Sequence, residues 1–142
     1  MQTQNLSNHR QIVWGYYLFP GLLLLAVVIG AIINLVNASA TNLYSASLIL
    51  ALSITVFAIF FKARSFALKA QDRAIRAEEN FRHFVLTGKP LDRQLTIGQI
   101  IALRFASDEE LPSLAKRAIA EGLSNKAIKE AIINWRGDFY RV

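Results

Sequence analysis

The sequence predicts an all-α protein: a transmembrane helical hairpin whose second helix extends into the cytoplasm, followed by a small three-helix domain. Three observations lead to this prediction. Residues 11–61 contain no charged side chain and no histidine, and a short polar stretch at 37–42 divides them. Neither proline nor glycine occurs between residues 43 and 87, so one helix can run through that range. Helix-capping residues recur after residue 91.

The uncharged run supplies two segments that are each long enough to cross a bilayer. About 20 apolar residues in a helix cross the hydrocarbon core, which is about 30 Å thick. We expect a cytoplasmic segment at residues 1–15 and a transmembrane hairpin at 16–61. The two spans of the hairpin are expected at 16–36 and 43–61, with the loop between them at 37–42. Pro20 is expected in the first turn of the first helix, where its missing N–H is tolerated. Ala38-Ser39-Ala40 resembles a signal-peptide cleavage site, but the apolar core exceeds the usual length of such signals, so we expect an uncleaved helix.

The basic residues predict how the hairpin lies in the membrane. Arg10 precedes the first span, the loop carries no basic residue, and five basic residues follow the second span: Lys62, Arg64, Lys69, Arg73 and Arg76. Because short segments rich in Lys and Arg stay on the cytoplasmic side, we expect both termini in the cytoplasm. Anionic lipid headgroups attract basic residues beside a membrane, so the same five residues are candidate headgroup contacts.

The polar residues inside the spans are few and neutral. A transporter or proton path normally has ionisable side chains within the membrane, so the composition argues against both functions. Two sets of small residues have the four-residue spacing that allows close helix packing: Ala26 with Gly30, and Ser47 with Ala51 and Thr55. We expect them to pack the two spans on each other, and packing between protomers is the alternative.

The second span is expected to continue as a cytoplasmic helix over residues 62–88, until Gly88 and Pro90 end it. Small and aromatic residues recur along this helix at spacings of four and three, and we call them the seam: Ala63, Ala67, Ala70, Ala74, Ala77, Phe81 and Phe84. Such a heptad row predicts a helix-packing surface. It can receive either the protein's own C-terminal helices or a second copy of the chain. The charged residues of this helix, Glu79 and Arg82 among them, predict a solvated face.

Residues 89–142 are expected to form the three-helix domain. Capping boxes at Thr96–Gln99 and Ser107–Glu110 open the first two helices, and Ser124 caps a third that reaches about Trp135. The apolar residues of these helices supply one core: Ile97, Ile100, Ile101, Leu103, Phe105, Leu111, Leu114, Ala115, Ile119, Leu123, Ile128, Ile132 and Trp135. A domain of about fifty residues is marginal for independent folding. We therefore expect this domain to pack against the long helix, the membrane surface or a partner.

The chain offers little catalytic chemistry. It has no cysteine, its two histidines lie far apart, and it has neither a phosphate-binding loop nor a nucleophile elbow. We predict that it is not an enzyme and has no catalytic, cofactor or metal site. Residues 122–128 resemble the start of the helix-turn-helix of response-regulator DNA-binding domains, but residues suited to a recognition helix do not follow. Nucleic acid is therefore not the expected partner.

Three stretches carry a resemblance to a known family: Asn8-His9-Arg10, LTIGQIIALRFASDEEL at 95–111 and NWRGDFYRV at 134–142. They are similar to an uncharacterised family of small bacterial two-span membrane proteins. The resemblance implies an inner-membrane protein with a cytoplasmic helical tail, and it implies no activity. Candidate functional surface residues in these motifs are Arg104, Asp108, Glu109, Trp135, Asp138 and Arg141. The alternative is structural: Arg104 and the acids pair locally across helix ends while Trp135 fills the small core.

The leading hypothesis is a non-enzymatic membrane protein that acts as a scaffold, assembly factor or accessory subunit through helix packing. Its expected partners are membrane lipids and either further copies of itself or other subunits of a membrane complex. One alternative is a protein that binds or senses anionic lipid. A membrane-tethered DNA-binding protein is a further alternative.

Overall fold

A computed structural model describes residues 4–9 and 14–139, except for the side chains of Trp14 and Tyr16. The described residues contain five α-helices and no strand, which confirms the all-α prediction: α1 Trp14–Val36, α2 Leu43–Thr87, α3 Ile97–Leu103, α4 Leu111–Ala120 and α5 Asn125–Ala131. They form two compact units, residues 14–67 and residues 4–9 with 68–139, so α2 contributes to both. Arg10 and Arg141, which the sequence singled out, lie outside the described residues.

In the unit of residues 14–67, α1 and the first part of α2 form an antiparallel pair. Gly21 of α1 lies against the Phe60 ring, and the Arg64 guanidinium lies 5.3 Å from the centre of the Tyr17 ring. The most buried residues of the pair are small, with Ala31 and Ala46 exposed by only 4% and 1%. Both helices are long and apolar enough to span a membrane.

The small residues predicted to join the two spans do not do so. Ala26 and Gly30 are exposed, and a Cβ atom added at Gly30 would meet no atom within 4 Å. Ser47, Ala51 and Thr55 are exposed as well. The helices meet along neighbouring rows instead, so the prediction of packing within the hairpin is wrong for these five residues.

Pro20 also lies elsewhere than predicted. Because α1 begins at Trp14, Pro20 falls in its second turn and not in its first. A proline there removes the hydrogen bond that its N–H would donate to the carbonyl four residues earlier. Helices in membranes tolerate such prolines better than helices in water do.

The second helix runs without a break to Thr87, as predicted. Gly88 ends it with φ of +72°, a left-handed conformation that costs glycine little, and its N–H donates to the Phe84 carbonyl at 2.8 Å. His83 fixes the chain beyond this turn, because its Nδ1 lies 2.8 Å from the Lys89 carbonyl. A carbonyl can only accept, so Nδ1 carries the proton.

The helices α3, α4 and α5 enclose one core, whose largest fully buried side chains are Phe105, Leu103, Leu111 and Ile128. The Thr96–Gln99 capping box and the Ser124 cap are both present. Of the predicted core residues, Ile97 is exposed by 40%. Five residues join the core in addition: Leu91, Leu95, Ala102, Ala106 and Ala118.

The predicted capping box at Ser107–Glu110 is absent. Helix α4 begins only at Leu111, and no side chain caps it. The Glu110 carboxylate instead accepts from the backbone N–H groups of Ile133 and Asn134, at 3.2 and 2.9 Å. Glu110 therefore ties the start of α4 to the segment after α5.

Helix α5 ends at Ala131, four residues before the predicted end, because Ile132 adopts an extended conformation. The following residues pair with the segment after α3 through an antiparallel bridge between Ala106 and Trp135. The Ser107 N–H donates to the Asn134 carbonyl at 3.1 Å, and the Arg136 N–H donates to the Phe105 carbonyl at 2.8 Å. This bridge brings the stretch at 95–111 and the stretch that begins at residue 134 side by side.

Candidate functional site

The part of α2 that lies in the same compact unit as α3, α4 and α5, residues 68–87, has two contrasting faces. The inner face is formed by Ile75, Glu79, Arg82 and His83, and three of these residues are buried. The outer face carries the seam residues of this unit: Ala70, Ala74, Ala77, Phe81 and Phe84. Successive helix residues are rotated by about 100°, which places the centres of the two faces about 180° apart. The turn after α3 and the segment after α5 therefore contact the side of α2 that the seam does not occupy.

The inner face is held by a cluster of charges around Glu79, which is exposed by only 6%. Its carboxylate lies 2.9 Å from Arg82 Nη1 and 3.6 Å from Arg136 Nη1. Arg82 also bonds Asp108 Oδ1 at 2.6 Å and donates to the Ala106 carbonyl at 2.8 Å. The prediction of a solvated charged face is wrong for Glu79 and Arg82, because the turn after α3 and the segment after α5 cover them.

A second ion pair joins two of the motif residues named from the sequence. Arg104 is buried, and its Nη1 lies 3.2 Å from Asp138 Oδ2. Its guanidinium also lies 4.7 Å from the centre of the Phe105 ring, a cation–π contact. Trp135 packs on the same ring at 5.3 Å between centroids. Arg104, Trp135 and Asp138 thus meet in a shared packing arrangement, while Asp108 pairs with Arg82 and not with Arg104.

The N-terminal residues 4–9 pack onto this arrangement. The Gln4 side chain forms two hydrogen bonds with the Asp138 backbone, accepting from its N–H at 2.8 Å and donating to its carbonyl at 3.1 Å. His9 lies 5.7 Å from both the Phe105 and the Trp135 rings. Its Nδ1 donates to the Leu6 carbonyl, so Nε2 accepts from Lys129 Nζ at 3.0 Å. The described parts of the three stretches that carried the sequence resemblance, residues 8–9, 95–111 and 134–139, therefore converge in one unit.

Glu109 is exposed, as is Asp108 beside it, whereas Glu110 is half-buried. A hydrogen bond with its own backbone N–H, and a weaker contribution from Ser107, lower the pKa of the Glu109 carboxyl below 4.5. The acids at 108–110 were predicted to share the first turn of a helix. Each has a different partner instead, since Asp108 binds Arg82 and Glu110 binds the segment after α5.

The outer face of α2 has no covering within this unit. Ala70, Ala74 and Ala77 are exposed, and Phe81 and Phe84 are exposed by 69% and 51%. The remaining seam residues belong to the other unit, where Ala63 is exposed and Ala67 half-buried. Large exposed aromatic side chains beside small residues mark a contact surface.

The candidate headgroup contacts have different surroundings. Arg64 is half-buried against Tyr17, and Lys62 and Lys69 are exposed. Arg73 and Arg76 line a cleft of about 470 Å³ between α2 and the segment after it. A third arginine of that cleft, Arg93, was not singled out from the sequence, because it lies 17 residues from Arg76 along the chain.

Other residues of the site also escaped sequence reasoning. Glu79 carried one usable signal: it lies four residues after Ile75 and four before His83, a spacing that puts all three on one helix face. Gln4 and Lys129 carried none, because their partners are more than one hundred residues away along the chain.

The described residues thus define an all-α protein with two helices long enough to cross a membrane and a helical unit with an exposed seam. The chain belongs to a family of unknown function, DUF6526, whose profile matches residues 1–142. This family-level match agrees with the resemblance to an uncharacterised family. Searches of curated proteins and of solved structures gave no match.

Proposed function

We propose that this protein is a non-enzymatic scaffold of a bacterial inner membrane that associates with a second copy of itself through the outer face of α2. The observation that carries the proposal is the contrast between the two faces of this helix. The turn after α3 and the segment after α5 cover the inner face, and Phe81 and Phe84 on the outer face are exposed by 69% and 51%. A surface of this kind, left open by the chain's own helices, is suited to a partner helix.

The seam fits a second copy of the chain in particular. Spacings of four and three residues generate a straight row that packs against an identical row when two helices run parallel. Two copies inserted in one membrane with the same orientation are parallel to each other. Alanines at Ala70, Ala74 and Ala77 allow the two backbones to approach closely, and a two-fold interface pairs each residue with its own counterpart.

Two further features support the membrane part of the proposal. In the two apolar stretches, only 6% and 11% of the residues are buried inside the protein, whereas the core helix of a soluble protein is mostly buried. Basic residues flank the apolar stretches and are missing from the loop at 37–42. By the positive-inside rule, both termini then lie in the cytoplasm.

Cysteine cross-linking tests the proposed interface directly, because the chain contains no cysteine of its own. Residues paired with their counterparts across a parallel seam bring Cα atoms to the separation of about 4.4–6.8 Å that a disulfide needs. We expect Ala74→Cys protein in membranes to form a disulfide-linked dimer on mild oxidation.

A matched control is available on the same helix. Lys69 is exposed as well, but it points about 100° away from Ala70, to the side of the seam. We expect Lys69→Cys to cross-link far less than Ala74→Cys. Equal cross-linking at the two positions, or none at Ala74, would contradict a seam-mediated pair of identical chains. Cross-linking of Ala74→Cys to a different membrane protein would favour an accessory subunit instead.

A further inference from the structure

The cleft beside α2 gathers positive charge from two separate segments of the chain. Arg73 and Arg76 come from α2, and Arg93 comes from the segment that leads to α3. All three side chains are exposed at the cleft of about 470 Å³. This volume lies within the range of small-molecule sites, about 300–1,000 Å³.

The three arginines differ from the other arginines of their unit. Arg82, Arg104, Arg117 and Arg136 each lie within 4 Å of a carboxylate oxygen. Among the described residues, no carboxylate lies at that distance from Arg73, Arg76 or Arg93. The fold therefore holds three guanidinium groups around one cleft without neutralising them.

The loop that carries Arg93 is held firmly against the helix. The Leu91 N–H donates to Asn80 Oδ1 at 2.9 Å, and the Leu91 and Leu95 side chains are buried in the core. Because Asn80 uses its oxygen for this bond, its Nδ2 amino group can donate towards the cleft that Asn80 also lines. The backbone that carries Arg93 is thus held beside α2, at the cleft that Arg73 and Arg76 also line.

One acidic residue, Asp92, also lines the cleft. Its Oδ1 accepts from the Gln94 N–H at 2.9 Å, which turns the loop. Three arginines and one carboxylate leave a local charge of about +2, since arginine stays protonated in proteins. A compact dianion matches this charge.

We infer that the cleft binds a phosphate group through Arg73, Arg76 and Arg93, with Asn80 as an additional donor. Arginine presents paired N–H donors that match the oxygens of a phosphate, and such bonds are stronger than those between neutral groups. The phosphate is carried either by a soluble metabolite or by a lipid headgroup. The cleft adjoins the seam, because Ala77 lines it as well, but binding a phosphate is a different function from the proposed self-association.

The soluble source is tested with full-length protein in nanodiscs of phosphatidylcholine, titrated with inorganic pyrophosphate in a calorimeter. We expect binding that weakens as salt is added, and a loss of affinity of about ten-fold in each of Arg73→Gln, Arg76→Gln and Arg93→Gln. Arg117→Gln removes the same charge from an exposed position outside the cleft and should change the affinity less than about two-fold.

The lipid source is tested with the same proteins in nanodiscs that contain both phosphatidylcholine and phosphatidylglycerol. If the cleft takes a headgroup, native mass spectrometry shows phosphatidylglycerol retained on the wild type and on Arg117→Gln, and lost from Arg73→Gln/Arg76→Gln/Arg93→Gln. The thermal unfolding midpoint of each variant shows whether it has folded, and the single variants replace the triple one if it has not. The inference would be overturned if the protein bound neither pyrophosphate nor phosphatidylglycerol. It would also be overturned if binding stayed intact in every variant of Arg73, Arg76 and Arg93.

Discussion

The two faces of α2 between residues 68 and 87 use their side chains in opposite ways. On the inner face, charged groups that normally lie in water are buried, and Glu79 holds both Arg82 and Arg136. On the outer face, aromatic groups that are normally buried are exposed, as at Phe81 and Phe84. Burying a cluster of charges is destabilising unless each charge has a partner of opposite sign. The inner face is therefore suited to contacts with specific residues of the same chain. The outer face carries exposed alanines and aromatic rings, and under the proposed function it forms a contact between two chains.

The largest effect that separates the two faces is expected from Glu79→Ala. This change removes the buried carboxylate that Arg82 and Arg136 share, while Arg82 keeps Asp108 and the Arg136 side chain is 53% exposed. We therefore expect a cost of about 2 kcal/mol, less than the loss of one partner from a fully buried pair. Denaturant unfolding of the full chain in mild detergent, followed by circular dichroism, measures the loss. Glu78→Ala alters an exposed neighbour and should cost less than about 0.5 kcal/mol. Equal losses for the two variants would mean that Glu79 does not organise the inner face.

A smaller effect on stability is expected from Phe81→Ala on the outer face. The Phe81 side chain is exposed by 69%, so its truncation removes little contact within the chain. The free energy of unfolding of the monomer should change by less than about 0.5 kcal/mol in the same assay. The same substitution in Ala74→Cys protein should reduce cross-linking, because it removes an aromatic contact from the proposed interface. A large loss of monomer stability would show that the chain itself packs on the outer face.

The parts of the fold that follow from local rules could be predicted from the sequence. The α2 boundaries depend on an uninterrupted helical stretch and on Gly88, and the caps at Thr96 and Ser124 depend on neighbours three residues away. The box at Ser107–Glu110 had the same local pattern but failed. There, Glu110 is held by Asn134, and a tertiary contact outweighs the cap.

The sites depend on contacts that no local pattern specifies. The spacing of the seam residues could be recognised in the sequence. Which face of α2 the rest of the unit covers could not be predicted, because a glutamate such as Glu79 is typical of a surface position and only the fold places Arg136 beside it. The proposed phosphate site needs Arg93 at the same cleft as Arg73 and Arg76, and the bond between Asn80 and the Leu91 N–H helps to hold the Arg93 loop there. Contacts between residues that lie 11 or more positions apart in the sequence therefore could not be predicted, and both sites depend on them.

The smallest effect is expected at Glu109, which belongs to neither face of α2. Hydrogen bonding to its own backbone lowers the pKa of its carboxyl below 4.5 in the folded protein, so the ionised form favours folding. A group of this kind contributes stability that is fully present above pH 4.5 and is lost as the pH falls through the lower, folded pKa. Glu109→Gln should therefore lower the unfolding midpoint slightly at neutral pH, and the difference from the wild type should disappear in acid. Unfolding curves of both proteins at a series of pH values measure this difference. If the difference between the two proteins keeps its size in acid, Glu109 stabilises the turn through its shape and not through its charge. The charge of the acidic run then contributes only through Asp108, which holds the turn, and Glu110, which holds the segment after α5.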